Sequence, residues 1–267
     1  MKAGLTRSGK RRAGAITLVA AASAALAGCG GGIGAKLTFN DVEKAKVSSI
    51  VLDGSSGDVE VSTSPIAETT ITRIVHSNSD PGVSYTLTGS ELHLGTSCGH
   101  NCRVSYRIVA PTGVSVIGKL SSGTVDLTGV SSADVRVSSG DIEIRGATGA
   151  VKARATSGNV RITDSKGPAT LEATSGDIQA INVGGKVTAT ATSGNIDVKL
   201  NTPASVTAVA SSGDVEVIVP TGAYQVRASA NSGDRTVDGI TEDVSSKNVL
   251  DVRASSGDVT VTGAPAA

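Results

Sequence analysis

The sequence is poor in the side chains on which much recognition and catalysis depends. Among 267 residues there are one Phe, three Tyr and no Trp, with three His, three Cys and one Met. Base stacking on aromatic platforms, aromatic cages for cations and sugar binding on Trp or Tyr surfaces all need rings that are missing here. Net charge is missing as well. The 24 basic residues balance 24 acidic ones, so the basic footprint of a nucleic-acid binder is absent. What is present is 39% apolar residues and 33 glycines, compatible with a core of Val, Ile, Leu and Ala in one or two domains.

The first residues stand apart. Lys2, Arg7, Lys10, Arg11 and Arg12 precede an apolar run from Ala13 to Ala27. That run is shorter than the roughly 20 residues of a bilayer span and reads as an export signal. It ends in Leu26-Ala27-Gly28-Cys29, which resembles the lipobox of bacterial lipoproteins. The resemblance implies that residues 1–28 are a signal peptide, that cleavage falls before Cys29, and that Cys29 becomes the acylated first residue. An ordinary signal peptide that happens to precede a cysteine is the alternative. Arg11-Arg12 is followed by Ala-Gly-Ala and gives only a weak hint of twin-arginine export. Cleavage removes five basic residues and no acidic ones, leaving 19 against 24, a mildly acidic chain with little attraction to anionic lipid or nucleic acid. Two acyl chains would hold it at a membrane, each buried methylene contributing roughly 0.8 kcal/mol. Residues 29–36, with Gly30-Gly31-Gly32-Ile33-Gly34, read as a flexible tether.

Internal repetition dominates the remainder. Ser55-Ser56-Gly57-Asp58-Val59 recurs around Gly123, Gly140, Gly158, Gly176, Gly194, Gly213, Gly233 and Gly257, and from Gly123 the intervals are 17, 18, 18, 18, 19, 20 and 24. A nearly fixed period of this length means a solenoid. Seven, five and three residues before Gly158 stand Val151, Ala153 and Ala155, and before Gly194 stand Val187, Ala189 and Ala191, with polar residues between them. Val160 and Ile162, or Ile196 and Val198, follow at two and four. Such alternation describes two short strands per coil, each with one buried face. Glycine supplies the backbone angle of the turn between them and Asp or Asn caps it. The expected fold is all-β, a parallel β-solenoid with coils of roughly 18 residues, whose hand the pattern leaves open. Its thin core accounts for the scarcity of rings.

The repeated Ser-Gly-Asp-Val/Ile units, the stretch Val47-Ser48-Ser49-Ile50-Val51-Leu52-Asp53-Gly54, and Tyr106-Arg107-Ile108-Val109-Ala110-Pro111-Thr112-Gly113 resemble the bacterial "putative adhesin" β-strand repeat family. The resemblance covers about residues 40 to 263. It implies a β-solenoid on an exported or envelope protein and carries no catalytic residues. Residues 37–120 then form an irregular N-terminal part, with a turn at Asp80-Pro81-Gly82 and a hairpin over the first exposed edge. Residues 121–263 form the regular repeats and residues 264–267 a tail.

Three groups are candidate sites. Cys98 and Cys102, in Cys98-Gly99-His100-Asn101-Cys102, read as a disulfide in an exported protein; the alternative is a zinc site using both thiolates with His100 and His93, which lacks a fourth ligand. In the turns, Asp141, Asn159, Asp177, Asn195 and Asp214 alternate acid with amide, which relieves repulsion and lets Asn donate up the stack. Asp214, Asp234 and Asp258 lose that alternation and are the calcium candidates, although Ca²⁺ takes six to eight oxygens. Arg235 stands where other coils place an inward Val or Ile, as a bulge or as a buried Arg paired with Asp234 or Asp238. No catalytic residue and no cofactor are expected.

The leading functional expectation is a non-enzymatic, exported, lipid-anchored cell-envelope protein, an adhesin or interaction scaffold. Its partners would be the membrane, through Cys29, and an envelope protein or glycan, with no nucleic acid. One alternative is an accessory or sensory protein that binds another exported factor. The other is a polysaccharide-active solenoid enzyme, which the outward Glu143, Arg161, Gln179, Asp197 and Glu216 do not favour, because they vary in type without forming a catalytic cluster.

Overall fold

Alternating Val and Ala along one side of a strand can be buried only against a second apolar face, and a coil of two such strands supplies it. The computed structural model describes residues 35–77, 82–98 and 102–265. The leader, Cys29, most of the tether, Asp80, Pro81, His100 and the last two residues of the tail lie outside these. Among the described residues there are 24 strands and no helix.

Six consecutive coils form the regular body. They are β8 (Ser115–Ser122) with β9 (Val125–Thr128), β10 (Ser132–Ser139) with β11 (Ile142–Arg145), and β12 (Val151–Ser157) with β13 (Val160–Thr163). Then come β14 (Ala169–Ser175) with β15 (Ile178–Val183), β16 (Val187–Ser193) with β17 (Ile196–Leu200), and β18 (Val206–Ser212) with β19 (Val215–Pro220). Even-numbered strands of these coils lie in one sheet, sheet I, and odd-numbered strands in the other, sheet II. Neighbours run parallel and in register: Val151 pairs with Ala169 and Ala169 with Val187, while Val160 pairs with Ile178 and Ile178 with Ile196. The inward residues meet between the sheets, and Val151, Ala153, Ala155, Val160 and Ile162 are each 2% exposed or less.

The turn between the two strands requires its glycine for two reasons. Gly158, Gly176 and Gly194 have φ of 138°, 141° and 140°, a region that side-chain-bearing residues avoid. In addition, a Cβ on Gly176 would lie 2.1 Å from the carbonyl oxygen of Gly158. Backbones of successive coils therefore touch along the turn edge, where no side chain fits.

Both ends depart from simple stacking. The N-terminal strands are β1 (Ala35–Glu43), β2 (Ser49–Ser56), β3 (Val59–Ser64), β4 (Thr69–Ser77), β5 (Tyr85–Thr88), β6 (Glu91–Gly95) and β7 (Arg103–Pro111). The strands β2 and β3 stack on β8 and β9, and β6 and β7 lie outside them. Antiparallel strands then finish each sheet, β4 and β1 beyond β7, and β5 beyond β6. They interrupt the parallel template that a bare edge would present.

At the other end are β20 (Ala223–Ser232), β21 (Arg235–Asp238), β22 (Thr241–Glu242), β23 (Val249–Ser256) and β24 (Val259–Ala264). Stacking in chain order would place β20 and β21 on β18 and β19. Instead β23 and β24 occupy that slot, and β20 and β21 lie outside them. The inward residues of the inserted coil, Leu250, Val252, Ala254, Val259 and Val261, are all apolar and 4% exposed or less. The outer coil brings Arg235 into register with Val259. An internal slot would bury that guanidinium, at high cost; the end position leaves it in solvent.

Candidate interaction surface

The turn edge carries a continuous hydrogen-bonded ladder. Asp141 Oδ1 accepts the backbone N–H of Asn159 at 2.7 Å, Asn159 Oδ1 that of Asp177 at 2.9 Å, Asp177 Oδ1 that of Asn195 at 2.8 Å, and Asn195 Oδ1 that of Asp214 at 2.9 Å. Asp and Asn serve equally because both offer Oδ1. The expectation that Asn donates up the stack is therefore corrected: its oxygen accepts. The inserted coil continues the ladder, with Asp214 accepting from Asp258 and Asp258 from Asp234, both at 2.8 Å. The three calcium candidates thus sit on consecutive rungs, and Oδ1 of Asp214 and of Asp258 is already engaged by a backbone N–H. Among the described residues no group of three His, Cys, Asp or Glu is arranged to hold a metal ion.

Outward side chains form columns across the strands. On sheet II, Glu143, Arg161, Gln179, Asp197 and Glu216 lie in register on neighbouring strands. Gln179 Nε2 donates to Asp197 at 3.0 Å. Beside this column, Arg145 reaches Asp126 at 2.7 Å and also pairs with Glu143, hydrogen bonds that raise its pKa further. Asp141, Glu143, Arg161, Asp177, Gln179 and Asp197 line a shallow concavity of about 440 Å³.

Sheet I carries a different column. Lys119, Arg136 and Arg154 are in register on β8, β10 and β12, followed by Glu172 on β14. Arg154 grips Glu172 with two contacts, Nε to Oε2 at 2.6 Å and a terminal nitrogen to Oε1 at 2.7 Å. Asp134 stands 4.0 Å from Lys152. Arg136 and Asp134 line two adjoining concavities, one of about 510 Å³ that also includes Val51, His93, Ile117 and Lys119, and one of about 280 Å³ that includes Lys152, Arg154 and Glu172.

The N-terminal end holds a polar cluster that the pattern of repeats does not announce. Arg73 on β4 is 4% exposed. Its Nε lies 3.3 Å from Asp41 Oδ2, its Nη1 donates to the Gly82 carbonyl at 2.7 Å, and the guanidinium stacks over Phe39 at 4.8 Å and Tyr85 at 5.8 Å. The Tyr106 hydroxyl bonds the Ser84 and Gly95 carbonyls at 2.8 and 2.9 Å, and burial pushes its pKa up to about 12. Burial, then Asp41 and Glu43, raise Tyr85 as well. Three of the four aromatic residues of the chain therefore serve one end of the solenoid. The signal was present in Thr69–Ser77, where Arg73 shares the parity of the buried Ile71 and Val75.

Cys98 and Cys102 are joined by a disulfide, with Cα atoms 5.3 Å apart, so their sulfurs are not thiolate ligands. His93 lies 3.5 Å from Glu91. Arg235 forms neither the expected bulge nor a pair with Asp234 or Asp238. Its strand keeps regular register, its Nε donates to the Ala228 carbonyl at 3.1 Å, and a terminal nitrogen approaches Glu242 at 3.8 Å. It bridges the two sheets over the open end of the core.

Two long, largely parallel sheets closed by glycine turns, with their ionisable groups spread along outward columns, define a repeat protein of the β-solenoid kind. The chain belongs to the family described as Toastrack DUF4097, which matches residues 36–184 and again 112–262. Among solved structures it is similar to a "putative adhesin" from Bacteroides fragilis, at 15% identity over 86% of this chain and 98% of that one, with a TM-score of 0.49. A "putative adhesin" from Parabacteroides merdae shares 14% identity over 84% and 95% of the two chains, with a TM-score of 0.43. A "putative cell adhesion protein" from Clostridium sporogenes shares 14% over 86% and 100%, with a TM-score of 0.29. No curated protein matches the sequence.

Proposed function

We propose that this protein is a non-enzymatic interaction scaffold of the cell envelope, exported and held at the membrane by acyl chains on Cys29, which presents the outer faces of its solenoid to an envelope polymer or protein in the manner of an adhesin. The observation that carries this reading is the arrangement of the outward charges. They lie in register along two sheets of 12 strands each, a rigid and repetitive display suited to an extended partner. The groups with perturbed ionisation serve other ends. Tyr85 and Tyr106 are locked in the N-terminal cap, and burial raises Tyr224. Arg107, Arg145 and Arg154 are raised by hydrogen bonds to Glu60, Glu143 and Glu172, and Asp243 is lowered by the hydrogen bonds it accepts from Ser245 in its own turn. None of these is a base or nucleophile poised at a concave site. Fractionation of cells producing the full chain or its Cys29→Ala variant tests the proposal. The wild type should sediment with membranes and retain an envelope glycan or protein on pull-down, while Cys29→Ala should leave the membrane fraction. Equal partition of both, with nothing retained, would overturn it.

A further inference from the structure

We propose that sheet I carries a binding face for a carboxylate-bearing polysaccharide, centred on Arg136 and flanked by Lys119 and Arg154. This deepens the scaffold reading and rests on it. The three cations lie directly opposite one another on neighbouring parallel strands, which sit about 4.8 Å apart. Like charges so placed repel and weaken a sheet. Acids line up in the same way on sheet II, where Glu60, Asp126 and Glu143 are in register, but there Arg107 pairs with Glu60 and Arg145 with both Asp126 and Glu143. Among the described residues, Lys119 and Arg136 have no ion-pair partner. A charge conflict retained on an exposed face is relieved when an anion binds there.

The adjacent strand shows which anion fits. Arg154 already holds the Glu172 carboxylate through two nitrogens, the paired geometry in which guanidinium recognises a carboxylate. Arg136 points outward from the next strand with its fork open. A ligand carboxylate at Arg136 would repeat the Glu172 contact one strand away, and Lys119 would take the next acid along the chain. Val51 and Ile117, the latter 40% exposed, floor the adjoining concavity and would meet the C–H faces of the sugars.

The site is a shallow surface in high dielectric, where one exposed ion pair contributes little, so a small anion would be held weakly. A polymer sums several such contacts. Its charge density must be modest, because Asp53, Asp134 and Glu172 border the column. One acid per sugar satisfies this better than duplex nucleic acid, with one charge per roughly 1.7 Å. Binding by charge also requires no aromatic stacking, which this chain could not provide.

The test uses the full chain with Cys29→Ala, so that no acyl anchor contributes, titrated with polygalacturonate, neutral dextran, and vesicles containing phosphatidylglycerol. Polygalacturonate should bind and dextran should not, and binding should fade between about 50 mM and about 500 mM salt. Arg136→Glu should weaken it at least about tenfold, because reversal removes an attraction and adds a repulsion. Arg161→Glu, which reverses an exposed arginine on the opposite sheet, should leave it unchanged. Loss of binding in Arg161→Glu as great as in Arg136→Glu, equal retention by dextran, or preference for the vesicles would overturn the assignment. If polygalacturonate fails while an envelope partner is still retained on pull-down, this face is wrong and the scaffold reading stands; if neither binds, both fall.

Discussion

Replacing Gly176 with Ala tests the reason given for the repeat itself. Two costs add at this position. The first is conformational: φ of 141° lies in a region nearly reserved for glycine, and holding alanine there costs about 1–3 kcal/mol. The second is steric, since the new Cβ would stand 2.1 Å from the Gly158 carbonyl oxygen and 2.6 Å from its carbon. Relief requires the coils to separate by about 1 Å, which strains the bonds from Gly158 N–H to the Ser175 carbonyl and from Val160 N–H to the Asp177 carbonyl, both 2.9 Å, each worth about 1 kcal/mol net. The expected loss is about 3–5 kcal/mol. Gly89 is the control. Its φ is 63° and a Cβ there meets nothing within 4 Å, so Gly89→Ala should cost only the backbone term, about 1 kcal/mol. Urea unfolding followed by circular dichroism gives both losses, and amide exchange at residues 158–176 shows whether the damage is local, since repeat arrays can open in parts. Equal destabilisation by the two substitutions would refute the steric account of the turn edge.

Three further expectations follow from particular contacts. Asp258→Asn keeps the Oδ1 acceptor for Asp234 and removes a carboxylate from between two others, so thermal unfolding should show a gain of about 1 kcal/mol at low salt that shrinks as salt is added. Arg73→Met strands the buried Asp41 carboxylate and should cost about 3–5 kcal/mol in urea unfolding, part of which Asp41→Asn in the same chain should recover. The Tyr106 phenol, raised from 10.0 to about 12, makes the fold sensitive to alkali. Above pH 10 the unfolded chain releases this proton while the folded chain keeps it, so stability should fall by about 2–3 kcal/mol between pH 10 and 12. Melting curves across that range, beside a spectrophotometric tyrosine titration, would show this; a flat profile would contradict the buried assignment.

The features legible in the sequence are those that repeat. Val151, Ala153 and Ala155 could be placed inward from their spacing to Gly158, because a parity error would have put every one of them in solvent. The column Lys119, Arg136, Arg154 was equally legible, since each stands four residues before its turn glycine, but it appears only when the outward positions are aligned as carefully as the inward ones. The contact between Gly176 and the Gly158 carbonyl was not legible. A glycine that needs its φ and a glycine that also lacks space look identical in a sequence. The N-terminal cluster was hidden for another reason: Arg73 meets Asp41 across 32 residues of chain, and no period relates them.

The order of the last coils is the sharpest case of what repetition conceals. The turns at Gly213, Gly233 and Gly257 are all followed by Asp, so the ladder accepts either coil on top of β18 and β19. The choice must come from the coils' interiors. One offers Leu250, Val252, Ala254, Val259 and Val261; the other has Val226, Ala228 and Ala230 but carries Arg235 at the position equivalent to Val259. Burying an unpaired guanidinium costs several kcal/mol, enough to exclude that coil from the inner slot. Arg235→Val removes the penalty and should let both orders form. Cysteine pairs report the order directly. Ser212 pairs with Ser256 in register, at a strand spacing within the reach of a disulfide, whereas Ser232 lies one strand further out. In an otherwise native chain, oxidation should join Ser212→Cys to Ser256→Cys and leave Ser212→Cys with Ser232→Cys unjoined. Adding Arg235→Val should make the second pair reactive. If it stays unreactive, the interior residues do not set the order, and the connections Thr221-Gly222 and residues 239–248 must do so instead.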